Sequence, residues 1–512
     1  MTRYDESPYA CNPVPCTAPE QLALASLLHG GPSTPFTGAR VLEIGCGDGA
    51  NLMPLAFFRP DCRFVGVDAS AVQIDDARRS ANRLALANVA LHAGDIRDVG
   101  PALGEFDYVV VHGVMSWVPD VVRDAIFALC RNQLTPDGLV YLSYNTNPGW
   151  LVRGLVRRVI SQPRARRALD ALTAEARERA RSLRAAIEEA QHPYALLLRN
   201  ELGIAEGAAE SMLLHDYLAP QNRAYWFAEF AERASTFGFR YLVEAPYTLP
   251  EYRVPPSIDR AARELERDPL QIESLIDALW YRQHRASLFC RTDAAAARLP
   301  RAEIFERVTI AAGCKPESEP VRYEAGVEQT FAGLAEPHIV SRSSDPLDKA
   351  VLTILAEIWP LGIGWRDLVA LARSRLDDHR VTQPDAEAEA EAQQSMLDLH
   401  VKGQADLRLR AMPTPKVVGY PPALVPLTRW EVERRAVIAT PTHQRFALTA
   451  VDRAILARLI GERTPPELVS EMVEQERAGG ARNVPDTMTV EEWVGGLLAR
   501  DLQLVARWGL LQ

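Results

Sequence analysis

The sequence predicts an α/β protein whose N-terminal part is an open, mainly parallel sheet, and three observations carry that prediction. Short apolar runs alternate with helical patterns between residues 41 and 144, the first run ends in a glycine-rich turn, and three successive runs end in or just before an acid: Glu43, Asp68 and Asp95. Alternating strand and helix patterns put parallel strands side by side, with their carboxyl ends along one edge.

The first strand is Val41-Leu42-Glu43-Ile44, followed by Gly45-Cys46-Gly47-Asp48-Gly49. Glycines at alternate positions let the chain turn sharply and let a ligand approach the main chain. A tight turn without a ligand has the same look. The spacing differs from the Gly-x-Gly-x-x-Gly that seats a pyrophosphate, and no basic residue follows it. Asp48 in the loop would repel a phosphate and favour a ligand with positive charge or hydroxyl donors, a description that S-adenosylmethionine fits.

The second run, Arg63-Phe64-Val65-Gly66-Val67-Asp68, ends about 20 residues after the glycines, where a Rossmann-type sheet places a carboxylate on ribose hydroxyls. Asp68 is the expected ribose ligand. The third run reaches Asp95 and Ile96, placed to accept from an adenine amino group and to pack on the ring, although Asp95 suits a helix N-cap equally. The fourth run is Phe106 to Val114 and the fifth Gly138 to Tyr144.

These motifs resemble the class I S-adenosylmethionine-dependent methyltransferases. The resemblance implies a seven-stranded sheet and a cofactor held by Glu43, Gly45, Cys46, Gly47, Asp48, Gly49, Asn51, Asp68, Ala69, Asp95, Ile96, His112, Gly113 and Val114, with residues 112–117 as the reaction edge. Strands six and seven are expected at 237–245 and 286–291, so the core runs over 40–150 and again over 237–295, after an N-terminal lid or helix at 1–39. The Ala/Arg-rich stretch 151–236 has helical periodicity and a break at His192-Pro193, and reads as an inserted helical cap over the ligand crevice.

Within the cap, His215 beside Asp216 suggests a base and its orienter, but neighbours on a helix do not face each other. A helix boundary with a hydrogen-bonded histidine is the simpler reading. A narrower resemblance rests on Tyr4 to Tyr9, the loop 45–52, His112 to Pro119, Tyr144 to Trp150 and His215 to Leu218. Together these are similar to bacterial methyltransferases with a methyltransferase regulatory domain, a family that includes rickettsial protein lysine methyltransferases. Met115 stands where that family more often has tyrosine. The resemblance implies a protein acceptor, lysine first, in a channel lined by His112, Trp117, Tyr144 and Asn145, with Tyr4, Tyr9 and Trp150 as further candidates and Tyr9 also beside the cofactor.

At 512 residues the chain should hold two to four domains. Hydrophobic content of 47% fits a soluble globular protein, and a net charge of −10 argues against a nucleic-acid partner. No run is apolar enough to cross a membrane and the start lacks signal-peptide features, so the expected location is cytoplasmic with no integral membrane association. Seven cysteines without paired spacing suggest neither disulfides nor a metal site.

Beyond a linker at 296–344 that adds at most short strands, helices expected at 345–355, 364–375 and 384–399, then a hairpin at 401–410, spell a winged-helix domain over 345–411. Its third helix opens Asp385-Ala386-Glu387-Ala388-Glu389, too acidic to meet DNA, so a protein-docking role fits better. A Pro-rich linker at 412–426 leads into further helices at about 449–461, 465–478 and 489–508, within a C-terminal helical region over 412–512. The whole reads as a methyltransferase acting on a protein lysine. A small-molecule methyltransferase and a cofactor-binding scaffold with little activity are the alternatives.

Overall fold

A computed structural model describes residues 11–98, 103–161, 169–297, 299–334, 336–382, 384–412, 419–478, 484–485 and 487–512. The candidates Tyr4 and Tyr9 lie outside them. The expected sheet forms from seven strands: β1 (Arg40–Ile44), β2 (Arg63–Asp68), β3 (Val89–Ala93), β4 (Phe106–Val111), β5 (Leu134–Asn145), β6 (Phe239–Glu244) and β7 (His284–Arg291). Their order is β3-β2-β1-β4-β5-β7-β6, with β7 antiparallel to both neighbours. Strand order reverses between β1 and β4, and a crevice therefore opens at the carboxyl ends of those two strands.

Both faces of the sheet are buried, which is why β1, β4 and β5 read as apolar runs rather than alternating ones. Along β5, Leu139 and Tyr141 enter one layer of core while Val140, Leu142 and Tyr144 enter the other. The insertion after β5 carries helices Gly149–Ile160, Leu169–Ala186 and Pro193–Gly207, which share a small core of their own around Ala180, Leu202 and Tyr217. The break at His192-Pro193 is a helix start: Pro193 opens the helix and His192 Nδ1 accepts from the Tyr194 N–H.

The segment expected as a linker is core-forming. It supplies helix Arg301–Arg307 and strands β8 (Thr309–Ala312), β9 (Cys314–Pro316), β10 (Gln329–Gly333) and β11 (Val340–Ser343), and it buries Phe305, Ile310 and Phe331 completely. Helices Pro346–Ile358, Trp365–Asp378 and Ala386–Val401 follow as expected. The hairpin that a winged helix requires at 401–410 does not form. Gly403, at φ +69°, ends the third helix in a tight turn, and the single strand β13 (Ala405–Arg408) pairs with β8; β8 also pairs with the two-residue β12 (Ile363–Gly364).

Part of the Pro-rich stretch, 413–418, lies outside the described residues. Beyond it come helix Pro426–Arg434, a hairpin of β14 (Val437–Ala439) and β15 (Arg445–Ala447), and helices Ala450–Leu456, Pro465–Ala478 and Val490–Arg507. The first helix and the hairpin were not expected. Leu427 and Trp430, both fully buried, pack with Met53, Ala77 and Ala81 of the N-terminal domain. The C-terminal module is thereby fastened beside the glycine loop. No helix among the described residues is long and apolar enough to cross a membrane.

Candidate active site

The glycine loop turns as its composition demands. Gly45, Gly47 and Gly49 sit at φ +77°, +54° and +77°, a region that side chains disfavour. At Gly45 a Cβ would also fall 2.4 Å from Val114 Cγ2. The loop is tied to the end of β2, where the Gly45 N–H donates to Val67 O at 2.8 Å and the Gly47 N–H to Asp68 Oδ2 at 2.9 Å. Asp68 Oδ1 accepts from the Ser70 N–H.

A cavity of about 650 Å³ opens beside this loop, in the size range of small-molecule sites. It brings together Glu43, Gly45, Cys46, Gly47, Asn51, Asp68, Ala69, Asp95, Ile96, His112, Gly113, Val114, Trp117, Asn145 and Trp150, all expected from the sequence. Glu43 is buried; Oε1 accepts from Asn51 Nδ2 at 3.2 Å, and Oε2 has no hydrogen-bond partner among the described residues. A buried, orphaned carboxylate oxygen in the cavity wall is what a cationic ligand group would satisfy, and Asp68 nearby suits a diol. The donor set therefore fits S-adenosylmethionine.

Burial, with the charges of Asp68 and Asp48 adding to it, raises the Glu43 carboxyl to about 8 despite the Asn51 hydrogen bond. At pH 7 the free protein holds it neutral, and a cationic ligand draws off the proton. Affinity for the cofactor should therefore tighten as pH rises towards 8, by up to about tenfold per unit, with a proton released on binding. Calorimetry in buffers of different ionisation enthalpy measures that proton; none released would remove Glu43 from the ammonium site. Asp68→Ala should weaken cofactor binding about 10- to 100-fold by removing a charged acceptor, and unchanged affinity would end the ribose assignment.

Other expectations need correction. Tyr144 is a core residue, 2% exposed, stacked on Phe230 at 3.7 Å with its hydroxyl bonded to Ser287. Strand alternation sends it to the face opposite Asn145. Met115 is likewise buried in the core and lines no part of the cavity. Asp48 turns away from the cavity, and Oδ2 accepts from Arg435 at 2.9 Å, so its charge is balanced by the C-terminal module. Gly49 packs against Met53 instead of a ligand. Asp95 reaches the cavity while Arg97 holds both its carboxylate oxygens.

His112 is no acid or base near neutral pH. Burial, with His284 and Arg445 close by, lowers it to about 3, and Nδ1 shares a 2.9 Å hydrogen bond with the Tyr141 hydroxyl. At the far end of the cavity Trp117 and Trp150 meet edge to face, centroids 5.8 Å apart. His215 and Asp216 line this end too. They lie on a π-helical turn, Leu213–Tyr217, a local widening that is frequent at functional sites. Burial raises the Asp216 carboxyl, with Arg153 and Arg157 opposing.

This end rests on a buried ionic knot. Arg285 of β7, with no exposed surface, bonds Glu244 of β6 at 2.6 Å and Asp277 of helix Pro269–Trp280 at 2.8 Å. Its guanidinium stacks over Phe227 at 3.7 Å. Gln283 and His284, just before it in β7 and its lead-in, line the cavity.

Sequence reasoning passed over Cys11, Asn12, Gln73, Arg153, His284 and Arg445 as cavity residues. Trp117, Asn145 and Trp150 were expected at the acceptor end, whereas the polar cluster at 215–216, read as a helix boundary, was not.

Comparison with known proteins agrees with this geometry. Residues 41–138 match a family model described as a methyltransferase domain, and residues 209–291 match a predicted methyltransferase regulatory domain. The second match begins inside the cap and continues through β6 and β7, whereas the regulatory part was expected at 151–236. Two relatives from Rickettsia prowazekii (strain Madrid E) are each 34% identical. Uncharacterized protein RP789 aligns over 57% of this chain and 53% of its own length, and uncharacterized protein RP028 over 47% of this chain and 96% of its own. The chain thus spans about half the length of RP789. The structure of PKMT2 from Rickettsia typhi, solved also in complex with AdoHcy, superposes with a TM-score of 0.82 at 23% identity, covering 98% of this chain and 100% of that one.

Proposed function

The chain belongs to the S-adenosylmethionine-dependent methyltransferases with a methyltransferase regulatory domain, and from that premise we propose that it methylates a protein, on the side-chain amine of a lysine. The observation that carries the reading is a carboxylate, Asp216, lining the same cavity as Trp117 and Trp150. The tryptophans, each with an arginine guanidinium stacked on its ring, give an apolar wall for the lysine stem, and the desolvated carboxylate receives the ammonium group.

The bound cofactor supplies an electrophilic methyl on a sulfonium. The chain's own residues then have two tasks, to align the amine and to free its lone pair. The tryptophans exclude water and guide the apolar stem of the lysine. Desolvation lowers the affinity of the amine for its proton, and Asp216, itself raised by burial, takes that proton. Freed of its proton, the nitrogen would be held in line with the methyl that the cofactor supplies. The resemblance of the chain to rickettsial protein lysine methyltransferases supports the same acceptor.

Incubation with radiolabelled cofactor and cell extract tests the reading. Label should precipitate with protein and appear as methyllysine on hydrolysis. Label confined to small molecules would replace the protein acceptor with a metabolite. Cofactor binding without transfer to any fraction would make the chain a scaffold.

A further inference from the structure

The cavity wall is rich in acids, with Glu43, Asp68, Asp95 and Asp216, and it contains two arginines, Arg153 and Arg445. Arg153 is committed elsewhere, bonding Glu201 at 3.0 Å and stacking on Trp150. Arg445 is exposed on the cavity wall, and its side chain makes no hydrogen bond or ion pair among the described residues. S-adenosylmethionine carries an ammonium, a sulfonium and a carboxylate. Acids suit the first two, and the third needs a cation.

We infer that the C-terminal module completes the cofactor pocket, with Arg445 presenting its guanidinium to the methionine carboxylate of S-adenosylmethionine. A planar fork of donors matches a carboxylate in shape as well as charge. Arg445 stands near His112, whose protonation its charge opposes, and His112 directly follows β4 at the expected reaction edge.

The hairpin that carries Arg445 is held like a plug. Its tip, 440–444, buries Thr440, Thr442 and His443, with His443 at φ +61°. Burial, helped by the Arg59 charge, keeps the His443 imidazole neutral, so Nε2 donates to Asn51 Oδ1 at 2.8 Å. The same Asn51 bonds Glu43. Arg59 donates to Pro441 O, and Arg435 just ahead of the hairpin reaches Asp48 and, at 2.8 Å, Cys11 O. Arg445 follows this anchored tip directly and pairs in register with Ala439. Its position is therefore set by contacts to the cofactor loop itself.

Two ligands isolate the carboxylate: S-adenosylmethionine and its decarboxylated analogue, each titrated calorimetrically into the full chain and into Arg445→Gln. The substitution should weaken S-adenosylmethionine about 10- to 100-fold and leave the analogue unchanged, and Arg445→Lys should recover part of the loss. Equal weakening of both ligands would mean that Arg445 only supports the fold of the pocket, and would overturn the inference. Unchanged affinity for both would overturn it as well. If in that case extract protein saturated the variant at a higher concentration, the carboxylate read by Arg445 would belong to the acceptor. The measurement is of binding alone, so it stands or falls separately from the lysine reading.

Discussion

Asp216→Asn should lower kcat about 100-fold or more while leaving S-adenosylmethionine affinity unchanged. The substitution keeps the size and polarity of the side chain and removes the proton acceptor, and general bases are worth about 10² to 10⁴ in rate. The residual activity should grow with pH, because hydroxide deprotonates the amine that Asp216 no longer serves. In the unmodified enzyme the acid limb of kcat should lie above the range of an ordinary aspartate, since burial raises this carboxyl. No limb from His112 is expected near pH 6.5, its imidazole being neutral down to about 3. Single-turnover rates across pH would decide. A variant with full kcat would confine Asp216 to acceptor binding or to structure.

Arg285→Met should destabilise the protein by about 3–5 kcal/mol, the cost of stranding buried charges when one partner of an ionic cluster is removed. Glu244 and Asp277, 5% and 1% exposed, would lose their shared cation. Glu244 shows how much that cation matters. Burial alone would raise its carboxyl, yet Arg285 holds it below its ordinary value. Urea unfolding would measure the loss, and a change below about 1 kcal/mol, typical of an exposed pair, would show the knot to be relaxed by water. Replacing Arg285 and Glu244 together by apolar residues of similar volume, with Asp277 left to Arg282 at 3.1 Å, should recover much of the stability. That outcome would separate the energetics of the cluster from its role in placing Gln283 and His284.

The cofactor half of the site was legible because its signals are local. A turn that needs three residues at positive φ asks for glycine, and an acid at the end of a parallel strand stands at the crevice by topology. Gly45, Gly47 and Asp68 could therefore be placed at the cavity wall from spacing. The misplacement of Tyr144 was avoidable, since strand alternation alone separates it from Asn145. The acceptor half was legible only in part: Trp117, Asn145 and Trp150 lie in or just after the strand ends and were expected there. Asp216 comes from an insertion whose docking depends on tertiary packing, and Arg445, on the cofactor side, from a module nearly 400 residues beyond the glycine loop. Likewise β13 was read as half of a local hairpin because pattern alone does not reveal a partner such as β8, more than 90 residues upstream.

The plugged hairpin has a consequence for biosynthesis. The cavity wall runs from Cys11 to Arg445, so a growing chain presents the glycine loop to the donor long before the pocket is whole. At about 5–20 residues per second, translation leaves some tens of seconds in which the sheet can fold without its last wall. On the inference above, products that stop before the hairpin would hold the donor poorly. Full occupancy would then act as a mark of a finished chain.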